Sequence, residues 1–411
     1  VELVRCFICH AKSNDLNQEA LARRLRKMPE DSFRFRHRMF LELVAPIQEA
    51  WNAALSQERG IDFEDMLNQA ADHLEQDRYA SPYELVLADE FQDASWARAR
   101  LCLALVKEPA RYLFAVGDDW QSIYRFAGSD ISLFSNFEKH VGKNEILLIE
   151  QTYRNSQSLI DITSKFIQKN PKQIKKNPKS KKTPFEDPIK FVHYEQDKIE
   201  DTFIKEIQQL VNKYGNKKIL VLGRHSFDIN ELIKLNPNNR IKYFENSDKI
   251  EVKGFENIDI KFITVHKSKG LEADNVIILN VKNHLLGFPN KMTDDPILSL
   301  LLSDDEDYRF AEERRLFYVA LTRTINEVVL LIPSEVSLFA DELLTDNNYL
   351  LTSTDGNLNT TNCPYCQTGK LVIRQNSINA TQFLGCSHYP NCNQTFSNIE
   401  ILENTILCPY C

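Results

Sequence analysis

The sequence predicts an α/β protein in which doubly wound layers of parallel strands and helices follow a helical N-terminal stretch and precede a small cysteine-rich module. Three observations carry this. Short apolar runs alternate with helical segments between Glu84 and Leu331. The runs end in acidic or other polar residues, as buried parallel strands do where they leave a sheet. Six of the nine cysteines fall in the last fifty residues as spaced pairs.

Residues 1–80 read as helices, and Phe35, Met39, Leu43, Ile47 and Trp51 recur at helical spacing. Strands follow at Glu84–Ala88, Leu113–Val116 and Glu145–Ile149, then at Lys218–Leu222, Ile260–Thr264, Asn275–Leu279 and Glu327–Leu331. Such alternation means doubly wound layers, and ligands in these folds sit at the carboxyl ends of the strands. Between Lys165 and Lys182 the chain is Lys-rich, which reads either as a solvated loop or as a phosphate-contacting patch. From Thr345 the chain turns polar and reads as a linker.

A length of 411 residues suits two or three domains, and 43% apolar with 26% charged residues is ordinary for a globular protein. The net charge of −8 gives no sign of a polyanion partner and does not exclude one, because local patches steer binding. No run of about 18 apolar residues occurs, so no membrane span is expected. The start at Val1 has neither Met nor a signal pattern and reads as a cut inside a longer protein, with Cys411 as a second cut. Cys102, in an apolar stretch, reads as a buried core thiol. Cys6-Phe7-Ile8-Cys9-His10 matches the c-type haem attachment pattern. Without a signal peptide, a chance pair is favoured, with an adventitious metal site second.

Five polar strings lie after strands or at strand–helix junctions. Leu87-Ala88-Asp89-Glu90-Phe91-Gln92-Asp93 ends a strand in adjacent carboxylates. One suits Mg²⁺ and the next can polarise an attacking water, although acidic residues there also serve as a solvated cap. Gly117-Asp118-Asp119-Trp120-Gln121 runs on to Tyr124 and Phe126, aromatics that either offer π-faces to bases or pack in the core. Gln151-Thr152-Tyr153-Arg154-Asn155-Ser156 comes third, Thr264-Val265-His266-Lys267-Ser268-Lys269-Gly270-Leu271-Glu272 fourth, and Glu312-Glu313-Arg314-Arg315 through Arg323 fifth. Taken singly, Arg154 and Arg323 could be salt-bridge residues; arginines also stabilise phosphoryl transfer.

In order and wording the five strings resemble motifs II to VI of superfamily 1A helicases of the UvrD/Rep type, over about residues 60 to 333. The resemblance implies two RecA-like (P-loop NTPase) domains, and a bacterial cytoplasmic, nucleoid-associated enzyme that uses ATP and Mg²⁺. It implies that Asp89 binds Mg²⁺, that Glu90 is the catalytic base, and that Gln121, Arg154 and Arg323 meet the γ-phosphate. Tyr153 would stack on adenine, Glu272 would hold the ribose, and Gly270 would lie near the phosphates. Tyr124 and Phe126 would face single-stranded DNA, with Thr264 and His266 on its backbone. Family members move 3′ to 5′ by opening and closing a cleft between the two domains.

Three departures matter. Ala127 stands where relatives often carry an arginine. The phosphate loop G-x-x-x-x-G-K-[S/T] is absent: neither Gly142-Lys143 nor Gly369-Lys370 has the required neighbours. Its absence predicts little or no ATP hydrolysis by the chain as given. Residues 224–258 read as a short connection where relatives carry a large subdomain.

In the tail, Cys363-Pro364-Tyr365-Cys366 and Cys386…Cys392 flank a hairpin-like segment, a spacing that fits four thiolates around zinc. The wording resembles the C4 zinc ribbon of bacterial type I topoisomerases, which implies Zn²⁺ and a single-strand-binding module with Tyr389, Phe383 and Arg374 as contacts. Cys408 and Cys411 read as half of a second ribbon, or as completing the first site in place of Cys386 and Cys392.

The expected organisation is a helical subdomain of motor domain 1 at 1–80, the C-terminal part of RecA-like domain 1 at 81–142, RecA-like domain 2 at 143–344, a linker at 345–361 and the ribbon at 362–411. The expected function is ATP-dependent 3′–5′ helicase or translocase activity on single-stranded or partly duplex DNA, in repair or recombination. The alternative is a non-catalytic module that binds single-stranded DNA.

Overall fold

The computed structural model describes residues 1–347 except 29, 31, 183–186, 293, 302–307 and 334; beyond them it describes 351–353, 356–358, 363, 365–366, 371–375, 382–386 and 392–396. The chain forms two compact units. One comprises Val1–Leu148 with Asn170–Lys175 and Thr293–Arg315, and the other comprises Ile149–Lys169, Lys176–Met292 and Leu316–Cys411. Asn170–Lys175 and Thr293–Arg315, both inside the range expected for domain 2, thus pack with the first unit.

The first unit opens with α1 (Glu2–Ser13), α2 (Gln18–Lys27), α3 (Ser32–Gln57) and α4 (Phe63–Glu75). Side-chain caps start two of them: Asn17 accepts from the Ala20 amide and Asp62 from that of Asp65. Helix α1 buries Phe7, Ile8 and Ala11 in a cluster with Leu21 and Val44, and Phe7 meets Phe40 edge-on at 5.1 Å. Each large apolar side chain so buried contributes about 1.5–3 kcal/mol. The spaced residues Phe35, Met39, Leu43 and Ile47 face outward instead, 40–59% exposed; His37 and Val44 are the residues of α3 that go inside. Lys12 is buried and ties α1 to α4, with Nζ 2.6 Å from Asp62 and 2.7 Å from Asp65.

Next come β1 (Leu85–Ala88), α5 (Trp96–Leu105), β2 (Tyr112–Ala115), α6 (Ser132–Ser135) and α7 (Phe137–Val141). Strands β1 and β2 pair in parallel from Leu85↔Tyr112 to Ala88↔Ala115. One face of this pair is bare: Leu85, Leu87, Tyr112 and Phe114 are 51–70% exposed. The strand expected at Glu145–Ile149 does not form, and Ile146–Ile149 stand 55–87% exposed. A strand exists only through a neighbour's hydrogen bonds, and no strand among the described residues pairs with this run. Cys102 is half-buried rather than enclosed.

The second unit contains β3 (Gln151–Thr152), α8 (Gln157–Ile167), β4 (Lys179–Ser180), β5 (Ile189–His193), α9 (Ile199–Tyr214), β6 (Ile219–Gly223), α10 (Asp228–Lys234), β7 (Ile241–Phe244), β8 (Lys249–Val252), β9 (Ile260–Thr264), α11 (Val265–Ser268) and β10 (Asn275–Ile278). After α12 (Ala311–Leu321) come β11 (Val328–Ile332), α13 (Leu338–Asn347), β12 (Leu351–Ser353) and β13 (Gly356–Leu358). Nine described strands share one sheet in the order β13-β12-β5-β11-β10-β6-β9-β8-β7. Its central strands β6, β10 and β11 are buried at every position, which is why they are continuous apolar runs in the sequence. Phe203, Ile207 and Leu210 of α9 join the cluster formed with Ile219, Val221 and Ile260.

Three stretches differ from expectation. Residues 224–258 form α10 and the antiparallel pair β7–β8, which extends the sheet edge beyond β9. Inside the expected linker, residues 351–353 pair with β5, and 356–358 pair with 351–353. An open edge strand offers a row of unpaired backbone groups, and an adjacent polar segment satisfies them as readily as an apolar one. In the Lys-rich stretch, Asn170 and Gln173 are buried; Gln173 donates to Asp119 at 2.8 Å, and the Ile174 carbonyl accepts from the Trp120 indole at 3.0 Å.

The tail contributes β14 (Leu371–Gln375), β15 (Gln382–Cys386) and β16 (Thr395–Phe396) as a three-stranded antiparallel sheet. Tyr389, Cys408 and Cys411, and the side chains of Phe383 and Arg374, lie outside the described residues. No helix among the described residues is long and apolar enough to cross a membrane.

Candidate functional site

In the first unit, parallel pairing of β1 and β2 brings the Asp89–Glu90 turn beside the turn at Gly117–Asp118. The Phe91 amide bonds the Val116 carbonyl at 2.8 Å, and the Val116 amide bonds that of Ala88 at 2.8 Å. Both carboxylates stand exposed at the strand end. Glu90 adopts a left-handed backbone with φ 51, a conformation that costs a non-glycine residue about 1–2 kcal/mol. Asp89 accepts from the Glu90 amide at 2.9 Å, and Glu90 accepts from the Gln92 amide group at 2.6 Å.

Gln92 joins the two turns. It is fully buried, donates to Glu90, and accepts from the Asp118 amide at 2.9 Å; its backbone carbonyl takes the Ser122 hydroxyl at 3.1 Å. Gly117 must be glycine, because a Cβ there would come within 2.4 Å of Gln92 Oε1 and 2.8 Å of the Phe134 ring. Asp118 caps the next turn by accepting from the Trp120 amide at 3.1 Å and from the Gln121 side chain at 2.6 Å, which orients Gln121. Gln92 was visible in the motif, but only burial reveals its bridging geometry.

Beyond that turn, Tyr124 and Phe126 pack 5.9 Å apart. Phe126 is 53% exposed and so is no core residue, while Tyr124 is half-buried. Burial, then the nearby Asp93 and Glu90 carboxylates, push the Tyr124 phenol up. The loop is braced by Glu312, which accepts from the Arg125 amide at 3.1 Å, and by buried Arg315, which donates to the Ser122 carbonyl at 2.5 Å. The segment Cys6–His10 lies on α1, and Cys6 Sγ is 3.7 Å from His10 Nε2. Cys6, Cys9 and His10 form no metal-holding group among the described residues.

In the second unit, Arg154 Nε donates to Glu272 at 2.8 Å. This hydrogen bond and the arginine's charge hold the Glu272 carboxyl below the usual range. Tyr153 beside it is 73% exposed. Asn155 donates to the Thr324 carbonyl at 2.7 Å, fixing the Arg154 turn to the end of α12. Arg323 is buried, with Nε on the Val319 carbonyl at 3.0 Å and Nη1 3.5 Å from the Leu271 carbonyl. Gly270 has φ 79 and open space around the position of a Cβ, so its backbone conformation alone calls for glycine. Thr264 ends β9 and caps α11 by accepting from the Lys267 amide. Burial and the cations Arg224 and His225 push the His266 imidazole down to about 4. Arg154, Glu272 and Arg323 are thus gathered in the second unit, whereas Asp89, Glu90 and Gln121 belong to the first.

In the tail, the Sγ atoms of Cys363, Cys366, Cys386 and Cys392 lie within 4.8 Å of one another. Cys363–Cys392 is 3.8 Å and Cys366–Cys386 3.5 Å. A tetrahedron of thiolates about 2.3 Å from zinc has edges of about 3.8 Å, so the four sulfurs fit zinc; a disulfide would need about 2.05 Å.

Models of known protein families match three stretches of the chain. The model of the UvrD/REP helicase N-terminal domain matches residues 2–142, and that of the UvrD-like helicase C-terminal domain matches 231–333. The model of the topoisomerase DNA binding C4 zinc finger matches 360–399. Residues 2–142 and 231–333 thus carry UvrD-like helicase N-terminal and C-terminal domains. The chain is 36% identical over 296 residues to DNA helicase IV of Escherichia coli, an alignment that covers 70% of this chain and 39% of that protein. It is 29% identical to the ATP-dependent DNA helicase PcrA of Leuconostoc citreum over 36% of this chain and 20% of that protein. Against PcrA of Staphylococcus epidermidis the figures are 27%, 35% and 20%. The chain therefore spans well under half the length of the curated relatives it matches.

Proposed function

We propose that this chain is part of an ATP-dependent DNA helicase that moves 3′ to 5′ on single-stranded DNA, in repair or recombination, with a zinc ribbon as an added strand-binding module. The observation that carries this is the junction at the ends of β1 and β2, where buried Gln92 links exposed Glu90 to the Asp118–Gln121 turn. A carboxylate pair beside an oriented glutamine suits a metal-assisted attack of water on a terminal phosphate. Asp89 would hold Mg²⁺, which when bound offsets phosphate charge, and Glu90 would take the proton from water. Gln121, Arg154 and Arg323 would stabilise the charge that develops on the phosphate. Tyr153, Gly270 and Glu272 would hold the nucleoside, and Tyr124, Phe126, Thr264 and His266 the DNA.

The phosphate loop, in this reading, belongs to polypeptide outside the present sequence. Support comes from the bare apolar face of β1–β2 and from the exposed run Ile146–Ile149, surfaces that a soluble domain normally covers. A two-stranded sheet is marginal alone and gains stability from further strands. DNA helicase IV and PcrA, as named relatives, point to the same activity.

The test is strand separation by the chain extended N-terminally, with ATP, on partial duplexes carrying either a 3′ or a 5′ single-stranded tail. Unwinding of the 3′-tailed substrate alone is expected; unwinding of the 5′-tailed substrate alone would refute the stated direction.

A further inference from the structure

The turn between β6 and α10 carries a feature that none of the motifs accounts for. Phe227 is 48% exposed, and its ring lies flat on that of His225, with centroids 4.8 Å apart and planes 6° apart. The turn is rigidly built. Asp228, itself buried, accepts from the His225 amide at 2.8 Å and from Asn280 at 3.0 Å. Gly223 permits the close approach, since a Cβ there would lie 2.9 Å from the Asp228 side chain. Strand β6 pairs with β9 so that Gly223 stands opposite Thr264, which sets the turn next to Thr264 and His266. Arg224 lies close enough to His266 to depress its protonation.

We propose that Phe227, backed by His225, is a stacking platform for one base of single-stranded DNA, with Arg224 meeting the adjoining phosphate. An exposed flat ring supported from behind presents a π-face at little ordering cost, and a neighbouring guanidinium suits the phosphodiester. Asp228 is a positioning residue that holds the turn. The inference rests on the proposed DNA-translocating function and adds a contact to the Thr264–His266 stretch.

The test uses the whole chain with oligo(dT), and with the same strand lacking its bases. In Phe227→Trp, oligo(dT) should quench the added indole fluorescence relative to the unaltered chain, and the abasic strand should not. Phe227→Ala should weaken oligo(dT) binding by about tenfold and leave abasic binding unchanged. Arg224→Gln should lower the salt slope of binding by about one. Binding of oligo(dT) by the unaltered chain with no quenching in Phe227→Trp and no loss in Phe227→Ala overturns the platform and leaves the helicase reading standing. Failure of the unaltered chain to bind oligo(dT) overturns both.

Discussion

Arg154 and Glu272, 118 positions apart in the sequence, are joined by a 2.8 Å hydrogen bond between Nε and the carboxylate. The proposed function assigns the first to the γ-phosphate and the second to the ribose. The pair is substantially exposed, with side chains 30% and 53% accessible. Such pairs contribute about 0–1 kcal/mol, so a bound nucleotide can displace the contact easily. In the N-terminally extended protein, Arg154→Ala should lower kcat for ATP hydrolysis by about a thousandfold, because it removes charge stabilisation in the transition state. Glu272→Gln should instead raise KM with little change in kcat. Steady-state kinetics separate the two, and the reverse pattern would exchange the roles.

His266 makes stability depend on pH. Its folded-state value of about 4 lies below the ordinary 6.5. Between these values the unfolded chain takes up a proton that the folded chain refuses, so stability is lost as pH falls from about 6.5 toward 4. Other groups titrate there as well, so the informative quantity is the difference between the unaltered chain and His266→Gln. Denaturant midpoints between pH 7 and pH 4 should fall less steeply for the variant, and parallel curves would count against a half-buried neutral imidazole.

The Lys12 ammonium holds α1 against α4 through Asp62 and Asp65. Desolvation by burial opposes its charge, but the two carboxylates outweigh that and raise its value above the ordinary lysine range. Asp62 and Asp65 are only part-buried, so the charge left behind by Lys12→Met stays partly solvated, and the variant should cost about 1–3 kcal/mol in urea unfolding. A loss below about 1 kcal/mol would mean that the carboxylates are adequately solvated without it.

For the four-cysteine site, one zinc per chain is expected by metal analysis, falling to none in Cys386→Ser. Ribbons of this size draw most of their folding energy from the metal, so chelation should unfold the tail while the β5–β11 sheet keeps its melting transition. Retention of a full equivalent of zinc in Cys386→Ser would point to a different ligand set.

The central strands were more legible in the sequence than the rest of the packing was. Parallel strands buried on both faces are continuous apolar runs, so β6, β10 and β11 stood out, and the polar residues after the strands marked the candidate site. The run Glu145–Ile149 has the same composition and forms no strand, because pairing depends on a neighbour and not on composition. β12 and β13 failed in the opposite sense, since their polar sequence gave no sign that β12 would add to the open edge of β5 and β13 to β12. The spacing of Phe35, Met39, Leu43 and Ile47 identified a helix but not the face it buries; that is decided by Val44 and His37. Gln92 appeared as one letter in a motif, and only its burial between two turns discloses the link from Glu90 to Asp118.

The most direct test is DNA-stimulated ATP hydrolysis, measured on this chain and on the chain extended N-terminally, each with and without Glu90→Gln. The expected result is little or no hydrolysis by the chain alone, hydrolysis stimulated by single-stranded DNA in the extended chain, and its loss by a factor of about 10²–10⁴ in Glu90→Gln. An extended chain that binds single strands but never hydrolyses ATP would contradict the motor assignment and leave a DNA-binding module on a helicase fold.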